Sequence, residues 1–170
     1  MFEIIKLLFD ICLFRRGPQD LPHSSWLLRL LIAMYVIIRF LMLSIGTQWL
    51  NALLQVGVEV LLVVGFSWSM LYVVQQLQRF NQATCALLGT DAIISFFALP
   101  SIASMEIGRG GWLAFMVVLG LIIWHWAVTG HIIRHALGQK LVFSLGLAFL
   151  YILGSYRVMV LLFPEIAGTE

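Results

Sequence analysis

Charge is scarce in this chain: of 170 residues, 11% are Asp, Glu, Lys or Arg, ten basic and eight acidic. A typical domain carries about 25%, so there is little polar surface for a separate soluble unit. The few basic residues are dispersed and form no stripe, which excludes a nucleic-acid interface. Cysteine is nearly absent. Cys12 and Cys85 are the only two, both are expected near the cytoplasmic face, and a reducing compartment makes a disulfide neither needed nor expected. Catalytic signatures are missing too. There is no G-x-S-x-G elbow, H-E-x-x-H, P-loop or dinucleotide fingerprint, and Ser101 and Ser104 near Pro100 lack a paired base. The expectation is a non-enzyme with no catalytic residues, no metal and no cofactor.

Long apolar runs are what the chain does have. It is 62% hydrophobic with a mean hydropathy of +1.02. A membrane-crossing helix needs about 20 mainly apolar residues, and five segments meet that length: 26–46, 49–74, 83–104, 112–134 and 141–163. The fold class is therefore all-α, a polytopic membrane helical bundle in a single domain over 1–170. The third segment is the least regular, since Asp91 interrupts it and Pro100 removes a backbone donor; membrane helices tolerate such breaks when neighbours re-satisfy the backbone. Without it the count falls to four.

The first stretch resembles a signal peptide only superficially, because Glu3 and Asp10 break its apolar run and no small-residue cleavage site follows; it is read as retained. Glu3, Lys6 and Asp10 recur at steps of three and four, with Phe2, Ile5, Phe9, Cys12 and Leu13 elsewhere on the wheel. That amphipathic pattern predicts an interfacial helix over 1–16, lying in the headgroup plane with Lys6, Arg15 and Arg16 toward anionic lipid or a partner subunit. A turn-rich linker follows over 17–25, with Ser24 or Ser25 as N-cap of the first span.

Basic residues near span ends set the orientation. With a cytoplasmic amino terminus, Lys6, Arg15, Arg16, Arg29, Arg79, Arg134 and Lys140 fall on that side and only Arg109 opposite. Five spans then place the tail, 164–170, on the far side with Glu165 and Glu170. Trp26, Trp49 and Trp112 sit where spans meet water, whereas Trp68, Trp124 and Trp126 are deeper and predicted to pack inside the bundle. Gly57, Gly65, Gly120, Gly130, Gly146 and Gly154 suggest close helix approaches, although none makes a GxxxG pair.

Charges inside the apolar runs carry most of the information. Arg39, Glu59 and Arg157 each interrupt a long hydrophobic stretch, where a central charge costs roughly 2.5–3.5 kcal/mol even on the lenient insertion scale. From a rise of about 1.5 Å per residue, Arg39 lies roughly 20 Å and Arg157 roughly 24 Å above their cytoplasmic span starts, and Glu59 roughly 15 Å below its outer start. One polar layer in the outer half is expected, with Glu59 meeting Arg39. If Arg157 joins, the layer has a surplus positive charge suited to an anionic headgroup, an acidic partner residue or an anionic solute. The plainer alternative is a buried pair that fixes helix register, with Arg157 snorkelling outward.

Asp91 and His125 fall at similar depths by the same rise and form a possible second pair, either a proton relay or two polar groups satisfying each other. His131 and His135 share a helical face, but no acidic residue or cysteine completes a metal site. Every membrane histidine is on span four, so haem ligation between opposing helices is not expected.

The five-span layout, the cytoplasmic amino-terminal segment and Gly17-Pro18 before the first span resemble the Yip1-type membrane proteins and the small bacterial inner-membrane proteins grouped near them. Here Arg15-Arg16-Gly17-Pro18-Gln19-Asp20-Leu21-Pro22 replaces the aromatic-rich segment of that family, and no residue role carries over. The resemblance implies a non-enzymatic protein that organises a membrane or its partners, in a bacterial inner membrane. Two functions follow as expectations: an accessory or scaffold subunit of a membrane complex, or a small transporter or channel component handling an anion or protons at Arg39, Glu59 and Arg157. A water-filled cavity reaching those charges is the feature that favours the second.

Overall fold

The computed structural model describes residues 2–45, 48–108 and 111–164. Met1, the Gly46-Thr47 part of the first hairpin connection, Arg109 and the acidic tail beyond residue 164 lie outside these. The described residues form six α-helices and no strand: α1 (Phe2–Cys12), α2 (Ser25–Leu43), α3 (Trp49–Val73), α4 (Phe80–Glu106), α5 (Trp112–Leu137) and α6 (Leu141–Leu162). Five of them, α2 to α6, are long and apolar enough to cross a membrane, and the chain is an integral membrane protein. Leu61, Leu113, Val142 and Leu161 on the outside of the bundle are 71–83% exposed, which is stable only with lipid as the solvent.

Local chemistry sets the boundaries. Ser24 caps α2, its hydroxyl accepting from the Leu27 amide at 3.4 Å, as a serine N-cap should. Gly138 in the left-handed region, at φ 66°, ends α5 and permits the tight return into α6. Phe14 and Gln75 adopt the same region, at φ 60° and 56°, closing α1 and α3 with paired carbonyl-capping bonds, Phe14 N to Ile11 O and Arg15 N to Asp10 O in the first. A non-glycine residue is strained there; Phe14 is held by its edge-on ring contact with His131, 5.3 Å between centroids.

The third span, the doubtful one in the sequence, is the central helix. α4 packs against α1, α2, α3 and α5, and half of its apolar window is buried, against 11–28% for the other spans. Its small and polar residues, Ala83, Thr84, Ala86, Thr90 and Ala92, suit neighbours on every side. Pro100 sits within α4, on an exposed stretch near the far end. The main partner of α2 is α4, ahead of its hairpin neighbour α3, and α5 pairs with α6. Of the glycines expected at close approaches, only Gly130 makes one, to Leu145 of α6; Gly57, Gly65, Gly120, Gly146 and Gly154 face open space. Trp124 and Trp126 pack inside as expected, whereas Trp68 is half-exposed and stacks on Tyr72 at the surface.

The amino-terminal helix, expected to lie in the headgroup plane, packs its apolar side on the bundle. Leu8, Ile11 and Cys12 of α1 are buried against mid-helix positions of α4 and α5. Leu8 fills the space over Gly89, where an added Cβ would lie 2.7 Å from a Leu8 methyl, and Phe9 meets Phe97 edge-on at 6.2 Å. Side chains of the bundle then bind the segment by its carbonyls. The Trp124 indole donates to Cys12 O at 2.9 Å, His131 Nε2 to Arg16 O at 2.9 Å and Gln82 Nε2 to Leu21 O at 2.7 Å. An apolar stripe on a short helix reports that it needs an apolar partner, not whether lipid or protein supplies it, and here the protein does. Lys6, Arg15 and Arg16 remain exposed, with Arg16 3.8 Å from Asp10.

Burial pushes the Cys12 thiol up to about 12, so at neutral pH it stays protonated and unreactive. In a Cys85→Ala background, Cys12 is expected to resist maleimide at pH 7.5 and to label readily once Gly89→Leu has dislodged α1. Equal labelling rates in the two chains would show that α1 is not seated on Gly89.

Candidate functional site

Two clusters of buried apolar side chains fill the half of the bundle nearest the amino terminus. One includes Leu8, Ile11, Leu27, Leu31, Leu88 and Ile132, the other Met70, Leu71, Ala83 and Ala136. The opposite half is not filled. A cavity of about 910 Å³ lies between α2, α3, α4, α5 and α6, reaching Gln48 at the start of α3 and Met159 near the end of α6. The volume falls in the range of small-molecule sites, about 300–1,000 Å³.

Polar residues are concentrated on its deeper wall. Tyr35 and Arg39 come from α2, Gln55 and Glu59 from α3, Asp91 and Ser95 from α4, His125 from α5, Tyr151 and Ser155 from α6. Four of these sets are spaced i, i+4, which puts both members on one helical face. That spacing was present in the sequence as four polar pairs inside apolar runs, and it is the signal by which Tyr35, Gln55, Ser95, Tyr151 and Ser155 could have been found.

Glu59 is fully served. It accepts from Arg39 Nε at 2.8 Å, from Arg39 Nη2 at its other oxygen, and from the Tyr35 hydroxyl at 3.2 Å. This is a two-pronged guanidinium–carboxylate pair, the geometry in which arginine binds carboxylates most strongly. Asp91 is not served in the same way. Its nearest titratable neighbour is His125, with Nδ1 3.4 Å from Oδ1, beyond ordinary hydrogen-bond length, and the Arg39 guanidinium acts on it only through space. Gln55 is 1% exposed and lines the same space, and neither its amide nitrogen nor its amide oxygen has a hydrogen-bond partner among the described residues.

The two polar layers read from the sequence are thus one site: Arg39, Glu59, Asp91 and His125 border a single cavity. Arg157 does not join it. It is exposed on α6 and absent from the cavity wall, about 8 Å by helical rise from the end of α6, where an arginine can extend its guanidinium toward the headgroups. Removing it reverses the expected charge. The cavity holds one cation, Arg39, against two carboxylates, Glu59 and Asp91, with His125 to supply a second positive charge only when protonated. His131 and His135 lie elsewhere, at the other end of α5, where the His131 ring holds the amino-terminal segment and His135 Nδ1 donates to the His131 carbonyl at 3.0 Å. No protein-family model, curated protein or solved structure matches the chain.

Proposed function

We propose that this chain is a non-catalytic solute-binding component of membrane transport, which admits its ligand to the cavity from the membrane face opposite its amino terminus. The observation that carries the reading is the cavity with its paired polar wall. A scaffold works through its outer surfaces and gains nothing from leaving about 910 Å³ unfilled, since unfilled core volume forfeits packing. An open channel is disfavoured by the packing beneath the cavity, where Leu31, Leu88, Val128 and Ile132 are buried together. This packing supports a pocket closed toward the amino-terminal side, and passage through it would require the helices to move, as in alternating access. Lipid-modifying chemistry is disfavoured as well, because among the described residues no hydroxyl or thiol is hydrogen-bonded to His125 to serve as a nucleophile. The clustering of Arg29, Arg79, Arg134 and Lys140 at one end supports a cytoplasmic amino terminus, and the short connections suit a bacterial inner membrane.

Cysteine accessibility tests the mouth. Ala98→Cys and Ser155→Cys, placed on the cavity wall in a chain with both native cysteines replaced by alanine, are expected to react with an impermeant trimethylammonium-ethyl methanethiosulfonate. Thr90→Cys, buried below the wall, is expected to stay unmodified. Reaction at the first two should occur in vesicles of one orientation only. Protection of both from both sides would mean that the space is closed to solute, and the binding reading would fall.

A further inference from the structure

We infer that the cavity's ligand is an organic cation bearing an ammonium-type charge, bound at Asp91 in competition with protons. This rests on the solute-binding reading and names the class of solute. Charge balance and hydrogen bonding decide it. The Arg39 guanidinium is committed to Glu59, so an anion would have to displace a carboxylate that accepts from Arg39 twice and from Tyr35 once. Asp91 has no hydrogen bond among the described residues; His125 approaches it at 3.4 Å, and Arg39, already held by Glu59, reaches it only through space. A carboxylate in a membrane interior without a firm partner is costly, and an incoming cation supplies that partner.

The surroundings suit such a ligand. Gln55, buried on the same wall with its amide oxygen unpartnered, offers an acceptor to an N–H donor. Tyr35, Tyr151 and Tyr156 line the cavity and bring to it aromatic rings of the kind that attract ammonium groups, one face of Tyr151 being stacked on Phe66. The remaining walls are aliphatic, including Met42, Leu62, Val63 and Leu121, which fits an organic body rather than a bare metal ion that needs several oxygen ligands.

Protons enter through the same pair. The titratable and charged groups facing Asp91 across the cavity are His125 on α5, Glu59 on α3, Arg39 and Tyr35 on α2, and Tyr151 and Tyr156 on α6. Glu59 and Arg39 neutralise one another, which leaves the Asp91–His125 pair as the charge that a ligand meets. When that pair takes up a proton on either member it becomes neutral overall and has no charge to offer. When the proton leaves, the pair carries one negative charge and binds a cation. Bound cation and bound proton exclude each other, which is the coupling that exchange of one for the other requires.

Two ions of matched shape and opposite sign test this in the whole protein purified in dodecyl maltoside. Tetraphenylphosphonium is expected to bind at least tenfold more tightly than tetraphenylborate at pH 8, and to weaken on acidification toward pH 5 by up to tenfold per pH unit. Asp91→Asn should abolish the preference for the cation, and Arg157→Gln should leave it unchanged. A thermal melt of each variant verifies folding, and Asp91→Glu keeps the charge if Asp91→Asn fails to fold. Displacement of the bound cation by added phosphatidylethanolamine assigns the site to a lipid headgroup amine; indifference to it assigns a dissolved one. Equal affinity for the two ions, or tighter borate, overturns the cation assignment. If Ala98→Cys and Ser155→Cys are nevertheless reactive, the solute-binding cavity stands and only its ligand class is wrong.

Discussion

Glu59→Gln alone is expected to destabilise the bundle by about 3–5 kcal/mol, the range for breaking one side of a buried ion pair. Arg39→Gln alone should be milder, and the double variant should lose clearly less than the two single losses summed. The reason lies in what each change leaves behind. Glu59→Gln strands the Arg39 guanidinium, whose side chain is 19% exposed, in a membrane interior where it cannot shed its charge. Arg39→Gln strands a carboxylate that still accepts from Tyr35 and can take up a proton. With both neutral, neither position strands an unmatched charge, and the amides can bond to each other. Detergent-induced unfolding from dodecyl maltoside into dodecyl sulfate, followed by tryptophan fluorescence, yields the three free energies for a double-mutant cycle. Additive losses would show that the two side chains do not act as a pair.

The second large effect is expected at Gly130. A Cβ built there lies 2.6 Å from a Leu145 methyl and 3.3 Å from the Leu145 Cα, so side chain and backbone of α6 both stand in its way. Gly130→Ala should cost about 1–3 kcal/mol, as overpacking does, and larger residues should force α5 and α6 apart. Leu145→Ala in the same chain clears the methyl but not the Cα, so it should restore part of the loss. The consequence reaches the cavity, because α5 carries His125 and α6 carries Tyr151 and Ser155. A Gly130→Ala protein that melts like the parent would mean that α5 and α6 sit farther apart than described.

Much of this architecture was legible before folding. Hydropathy and length marked the five spans because a bilayer imposes one requirement on every crossing helix, independent of its neighbours. Depth was legible for the same reason: a fixed rise per residue brought Arg39 level with Glu59 and Asp91 level with His125. The doubt over α4 was misplaced. A central helix that packs on four others over half of its apolar window has less need of the most lipid-like side chains, so its lower hydropathy reported its position.

What the sequence could not provide was direction around each helix axis. Arg157 and Tyr156 are adjacent in the chain and at nearly one depth, yet Tyr156 lines the cavity and Arg157 is outside it. Which side faces inward depends on the neighbours each helix takes, and α2 packs chiefly on α4, ahead of the α3 it is tied to. The same limit concealed the seat of α1, whose apolar stripe is satisfied equally by lipid or by the slot over Gly89. Hydropathy and helical rise were enough to call for a membrane bundle of about five spans, to set the depth of its charges and to pair Arg39 with Glu59. Packing was needed to bring Arg39, Glu59, Asp91 and His125 to one cavity, to leave Arg157 outside it and so to leave the site short of positive charge. Rise along a helix is a local property of the backbone, whereas the facing of its side chains is settled by packing between segments far apart in the chain.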